Sequence, residues 1–217
     1  MKRITLIIAG IAILFLCSTC RKEHVAPVNP LVKDLFCFKE GSEWTYYDSV
    51  SQTTQRMVVT KYETTRIGSK YAMRKTKDWE EIIKMQISIE NVMQSFFANG
   101  QTCFGAEVDQ DNTAEGGIFT PANTTFSIRC DANNNFVQGV YNTTQTISYL
   151  STYTVNGTTY SDVYVFNIIE NIIGGTYKDD FTYYVSKHVG FIRCVRQCEY
   201  PKYFNFDLVL INKKIQQ

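Results

Sequence analysis

The dipeptide Asn156-Gly157 constrains the fold more than any other feature of the chain, because it interrupts two runs in which apolar and polar residues alternate. Asn and Gly supply the two positive φ angles of a type I′ turn, the commonest way to close a two-residue hairpin. Such a turn fixes the register, so Val155 must face Thr158, Tyr153 face Tyr160, Tyr149 face Tyr164 and Ile147 face Phe166. Like sizes meet across the strands, and pairs of this kind contribute about 0.2–1 kcal/mol each over alanine. The stretch Thr146 to Ile168 is therefore predicted to be a hairpin, with Leu150, Val163 and Val165 on its second face.

The same period of two recurs elsewhere. Trp44, Tyr46, Asp48 and Val50 alternate with Thr45, Tyr47 and Ser49; Arg56 to Thr64 repeats the pattern after the polar turn Ser51 to Gln55, and Lys70 to Lys75 predicts a third short strand. In Trp79 to Phe97, Ile83, Met85, Ile87 and Ile89 alternate with Lys84, Gln86, Ser88 and Glu90. That predicts a strand, a turn near Glu90-Asn91 and a second strand; the helical stripe Ile82, Met85, Ile89, Val92, Phe96 is the alternative. Phe181 to Ser186 and Phe191 to Cys198 flank Lys187 to Gly190. Val189 resists positive φ, so the predicted turn puts His188 and Val189 in type I geometry and Gly190 in the left-handed position. Phe204, Phe206, Leu208 and Leu210 share one face of a final strand. The expected fold is all-β: a curved antiparallel sheet or partial barrel built from hairpins, with little helix, forming one domain over residues 37–217.

The N-terminus sets the compartment. Lys2 and Arg3 precede the uncharged run Ile4 to Leu16, which falls short of the roughly 20 residues a membrane span needs and predicts a cleaved signal. Ser18, Thr19 and Cys20, followed by charged Arg21, Lys22 and Glu23, resemble a bacterial lipobox. The resemblance implies a signal peptide over residues 1–19 and Cys20 as the lipidated first residue of the mature chain, anchored at the outer membrane of a cell envelope. A soluble secreted chain cut nearby, or an uncleaved anchor, is the alternative. Residues 20–36, with Pro27 and Pro30 and little periodicity, predict a tether between lipid and fold. The formal charge of +1 becomes −1 once Lys2 and Arg3 leave, which gives no electrostatic basis for nucleic acid as a partner.

Three further stretches carry a wider resemblance: EGSEWTYY at Glu40 to Tyr47, NGTTYSDVYVF at Asn156 to Phe166, and YYVSKHVGFIR at Tyr183 to Arg193. Their G-x-x-W-x-Y, G-x-x-Y-x-D-V and V-G-F-I-R patterns resemble those of small secreted lipoproteins of the Bacteroides type, a group without an assigned biochemical role. The resemblance implies an antiparallel β fold and carries no functional residue across. Asp48-Ser49-Val50 similarly resembles the Asp-Ser/Thr-aliphatic O-glycosylation site of such proteins, which would place a glycan on Ser49. The Asn-x-Thr triplets at Asn123, Asn142 and Asn156 follow from the abundance of Asn and Thr in turns and strands.

Residues that could carry chemistry are scarce. His24 and His188 are the only histidines, neither sits beside a nucleophile motif, and the esterase, zincin, phosphate-loop and dinucleotide patterns are absent. The polar runs starting at Asp109 and Asp131 lack the glycine that a calcium-binding EF-hand loop requires at its sixth position, so they are turn-rich segments. No enzyme, cofactor or metal site is expected. After Cys20 come Cys37, Cys103, Cys130, Cys194 and Cys198. Cys103 and Cys130 flank a glycine-containing polar excursion and are expected to form a disulfide, worth about 3.5 kcal/mol on the chain-entropy model. Cys194 and Cys198, about 13 Å apart on one face of a strand, cannot bond each other, though either could reach Cys37; buried thiols are the alternative for any pair. Two functions remain: a lipid-anchored binding or structural module facing an envelope protein or glycan, and a carrier for an apolar ligand held in a half-barrel. A large apolar cavity would mark the carrier.

Overall fold

The computed structural model describes residues 24–68, 78–89, 92–99, 102–108, 126–130, 136–137, 143–172, 177–199 and 205–216, with backbone alone between 92 and 145. Among the described residues thirteen strands and one helix follow in the order β1 (His24–Ala26), α1 (Pro30–Phe36), β2 (Glu43–Asp48), β3 (Thr53–Gly68), β4 (Asp78–Ile89), β5 (Val92–Asn99), β6 (Thr102–Val108), β7 (Phe126–Cys130), β8 (Phe136–Val137), β9 (Thr143–Val155), β10 (Thr158–Ile172), β11 (Tyr177–Ser186), β12 (Gly190–Cys198) and β13 (Phe206–Lys214). They form one sheet in the order β8-β7-β6-β5-β4-β3-β2-β13-β12-β11-β10-β9, with β1 joined to β4. The chain thus meanders outward in two halves, and β13 closes the seam by pairing antiparallel with both β2 and β12.

The alternation read from the sequence becomes one-sided burial. Trp44, Tyr46, Met57, Val59, Ile83, Met85, Phe166, Phe181, Tyr183, Cys194, Leu208 and Leu210 all enter one continuous core. Trp79 to Phe97 is two antiparallel strands paired from Ile82↔Asn99 to Ile89↔Val92, not a helix. The Asn156-Gly157 turn has φ values of 48° and 73°, and its strands take the register that a two-residue turn dictates, Tyr149 facing Tyr164 with ring centroids 5.3 Å apart. The strand expected at Lys70 to Lys75 lies outside the described residues.

Curvature follows from a distance argument. Phe36 packs on Phe166 of β10 at 5.7 Å between ring centroids, and Phe38, two residues on, directs its backbone N–H at the Met85 sulfur of β4 at 3.3 Å. In a flat sheet β4 and β10, six strand spacings apart, would be separated by roughly 29 Å. Two residues of chain span about 7 Å at most. The sheet is therefore curled into a partial barrel with α1 inside it.

That placement corrects the tether expected over residues 20–36, because the chain is folded from His24 onward. β1 lies parallel to β4, Val25 opposite Trp79. The Asn29 side chain then accepts the Leu31 N–H at 2.8 Å and Pro30 opens α1, the pairing of an N-cap with a residue that has no N–H to satisfy. A seven-residue helix is too short to hold itself together in water; its stripe Val32, Leu35 and Phe36 is buried in the core instead. Glu81 of β4 clips the segment, accepting the Val28 N–H at 2.9 Å and the Lys33 ammonium at 2.8 Å. The stripe has only one turn of periodicity, which is why the sequence pattern hid it.

The β11–β12 turn differs from expectation in one residue. Gly190 is left-handed as predicted, with φ 86°, but His188 is too, at 58°. The Val189 N–H bonds back to the Ser186 carbonyl at 3.1 Å, while the His188 N–H is turned onto the Asp34 carbonyl of α1 at 2.7 Å. Docking on the helix is what holds His188 outside the type I geometry.

Candidate functional site

The three resemblance patterns meet at that turn. Tyr46 of the first donates its hydroxyl to the Phe191 carbonyl of the third at 2.9 Å. In the second, the Asp162 carbonyl accepts the Lys187 N–H at 3.3 Å and the Ser161 carbonyl accepts the Ser186 hydroxyl at 2.9 Å. The glycine is required twice over: a Cβ on Gly190 would stand 3.0 Å from the Phe38 ring as well as demanding a positive φ. These residues are conjoined for packing. No acid, base or nucleophile is assembled by them.

The core is tightly packed where α1 meets β2, β3, β4 and β12. Between Phe36, Phe38, Trp44, Met57, Met85 and Phe191 the unfilled space is about 10 Å³, no more than a single water requires. Tyr46, Tyr183, Phe181 and Phe166 are fully buried around it. A buried ion pair, Arg196 to Asp179 at 2.7 Å, closes one flank with the guanidinium 5.0 Å above the Phe181 ring.

The opposite face of β11 and β12 carries the more open feature. Alternation that turns Phe181, Tyr183, Ile192 and Cys194 inward turns Asp180, Thr182, Tyr184, Arg193, Val195 and Gln197 outward, where they line a groove of about 220 Å³. Arg193 is its fixed point. Its guanidinium grips Asp207 of β13 in a bidentate pair at 2.9 and 2.8 Å and donates to the Tyr153 hydroxyl at 2.9 Å. The Asp207 carboxylate raises the arginine's affinity for its proton above the ordinary value. Tyr153 stacks on Tyr184 at 4.5 Å, and Asn167 donates to Asp180 at 2.6 Å and to Thr182 at 3.0 Å. The groove is thus a polar floor held rigid by its own hydrogen bonds, with an aromatic wall and the exposed Gln197 at its edge. It can offer hydrogen bonds and ring contact to a polar ligand.

The residues marked from the sequence lie elsewhere. Ser49 is on the exposed β2–β3 turn, its N–H bonded to the Asp207 carbonyl at 3.0 Å. Cys20 lies outside the described residues, as do the side chains of Cys103 and Cys130; the backbones of those two run in the paired strands β6 and β7. Cys37 and Cys194 are free thiols, so the link that Cys194 or Cys198 could have made to Cys37 is not made. His24 begins β1 and His188 sits on the turn beside Asp34. Among the described residues no three His, Cys, Asp or Glu side chains gather as metal ligands.

No family model matches the chain, and no curated protein does. Among solved structures it is similar to a "putative lipoprotein" from Parabacteroides distasonis, at 14% identity and a TM-score of 0.40, over 81% of this chain and 96% of that one. At that level the likeness carries neither fold nor function across.

Proposed function

We propose that the chain is a non-catalytic, lipid-anchored module of the bacterial cell envelope that binds a polar, hydroxyl-rich partner such as a glycan in the β11–β12 groove. The observation that carries this reading is the β11–β12 groove, an open surface with convergent polar groups; where α1 meets β2, β3, β4 and β12 only about 10 Å³ is left unfilled, which gives an apolar cargo no place at that point. The anchor rests on the order of charge, apolar run and small residues ahead of Cys20, and the outer membrane is the site such an anchor favours.

Two measurements test it. Intact mass of protein extracted from its own membranes should show acyl addition at Cys20, and Cys20→Ala should release the chain into the soluble fraction; an unmodified mass removes the anchor. Native mass spectrometry after gentle release, together with a panel of envelope polysaccharides, should find a polar ligand whose affinity falls at least tenfold in Gln197→Ala/Thr182→Ala. Retention of a lipid instead would restore the carrier.

A further inference from the structure

Between Asp131 and Asp162 the chain contains no Asp, Glu, Lys or Arg, although a fifth of all its residues are charged. β9 lies entirely within that stretch and is also the last strand of the sheet, hydrogen-bonded on one side to β10 and, among the described residues, to nothing on the other. Edge strands present a row of unpaired N–H and C=O groups, and soluble proteins blunt them with lysine, proline, bulges or short length. β9 has none of these devices. It runs for 13 residues, contains no proline, keeps one constant register with β10 and exposes Thr146, Ser148, Ser151, Thr152 and Thr154. The opposite edge, β8, spans two residues as described.

We infer that β9 is an assembly edge, and that its occupant is β9 of a second copy of the chain, paired antiparallel about a two-fold axis so that the two sheets become continuous. The absence of charge selects this occupant. In a two-fold pair of identical strands, any charge near the axis meets its own image, a repulsive contact, so self-pairing requires the middle of the strand to be uncharged. A strand built for a different partner has no such requirement and gains specificity from charge. Backbone hydrogen bonds supply the contact, and threonine and serine rows suit the pleated surface that forms.

The test uses the full lipidated chain in detergent micelles. Native mass spectrometry should find two chains per particle, and hydrogen exchange should show β9 amides protected in a concentration-dependent manner. Ser148→Lys/Thr152→Lys, both at exposed positions, should abolish the dimer while leaving the far-UV spectrum unchanged. Tyr47→Lys, an exposed change on β2, should leave the dimer intact. A monomer at every concentration, a dimer that survives the two lysines, or β9 amides that exchange freely within the dimer each overturn the inference; so does a complex formed only with a different protein.

Discussion

The Trp44 indole N–H donates to the Val189 carbonyl at 2.6 Å, joining residues 145 apart in sequence. Gly190, the next residue, lies under the same indole, and its missing Cβ would be 3.6 Å from the Trp44 ring. An opening strand and a late hairpin turn are thereby locked to each other before any ligand is considered. Trp44→Phe keeps an aromatic ring, though a smaller one, but leaves the Val189 carbonyl without its donor, and should cost at least about 1–3 kcal/mol. Gly190→Ala should cost a similar ~1–3 kcal/mol through the positive φ alone, with crowding against Phe38 added. Urea unfolding checks both, and wild-type midpoints in either variant would remove the turn from the role given to it.

Phe36 distinguishes a helix inside the barrel from a tether outside it. The ring is 3% exposed and packs on Phe166 and Phe191, so Phe36→Ala should destabilise the fold by about 3–5 kcal/mol. The same substitution in a solvated linker would change stability by less than about 0.5 kcal/mol. Thermal unfolding of the two proteins separates these outcomes directly.

Asp48 sets a pH dependence. Burial alone would raise its carboxyl pKa, but the Ser51 hydroxyl at 2.6 Å and the Asp207 and Val50 N–H groups, each at 3.0 Å, outweigh burial and hold it below the usual range. A carboxyl depressed in the folded state contributes stability that is complete above its unfolded value, about 3.9, and is lost as pH falls through the folded value. Asp48→Asn should therefore lower stability at pH 7 and flatten its decline in acid. Urea titrations at neutral and acidic pH measure the difference; parallel declines in both proteins would assign the acid sensitivity to other groups.

The cysteines should divide into two classes under alkylation. Burial pushes the Cys37 thiol up to about 12, against an opposing Lys33 charge, and also raises Cys194 well above its ordinary value. Since the thiolate is the reactive species, both should stay unlabelled by iodoacetamide at pH 7.5 until the protein is denatured. Cys103 and Cys130, proposed as a disulfide, should resist labelling even in denaturant until a reductant is added. Peptide mapping reports each residue separately, and an alkylated Cys103 or Cys130 in unreduced protein from an oxidising envelope ends that pairing.

Much of the sheet is legible from sequence because local chemistry and global fold agree there. Asn156-Gly157 dictates its own register, and strands such as Gly190–Cys198 show their buried face as period-two alternation. What stays hidden is whatever depends on residues far apart. Val32, Leu35 and Phe36 supply one helical turn, indistinguishable from a linker until the curled sheet provides somewhere to bury them. His188 takes its positive φ because Asp34 receives its N–H, a contact across more than 150 residues. The Arg193–Asp207 pair that stiffens the groove joins strands whose adjacency no local pattern announces. Arg196 and Asp179 are similar: each reads as an ordinary strand charge, and only the fold removes both from water.

β1 changes what an anchor at Cys20 would do. Only three residues separate that cysteine from His24, the first residue of β1, and the four steps from one to the other reach about 14 Å when fully stretched. A lipid there acts as a short mooring that fixes orientation, since β1 is stitched to the Asp78 end of β4, beside Gly68 of β3. That end of the sheet would rest at the bilayer, and the β2–β3 turn carrying Ser49, at the far end of the 16-residue β3, would point away into the aqueous space where a glycosylating enzyme could meet it.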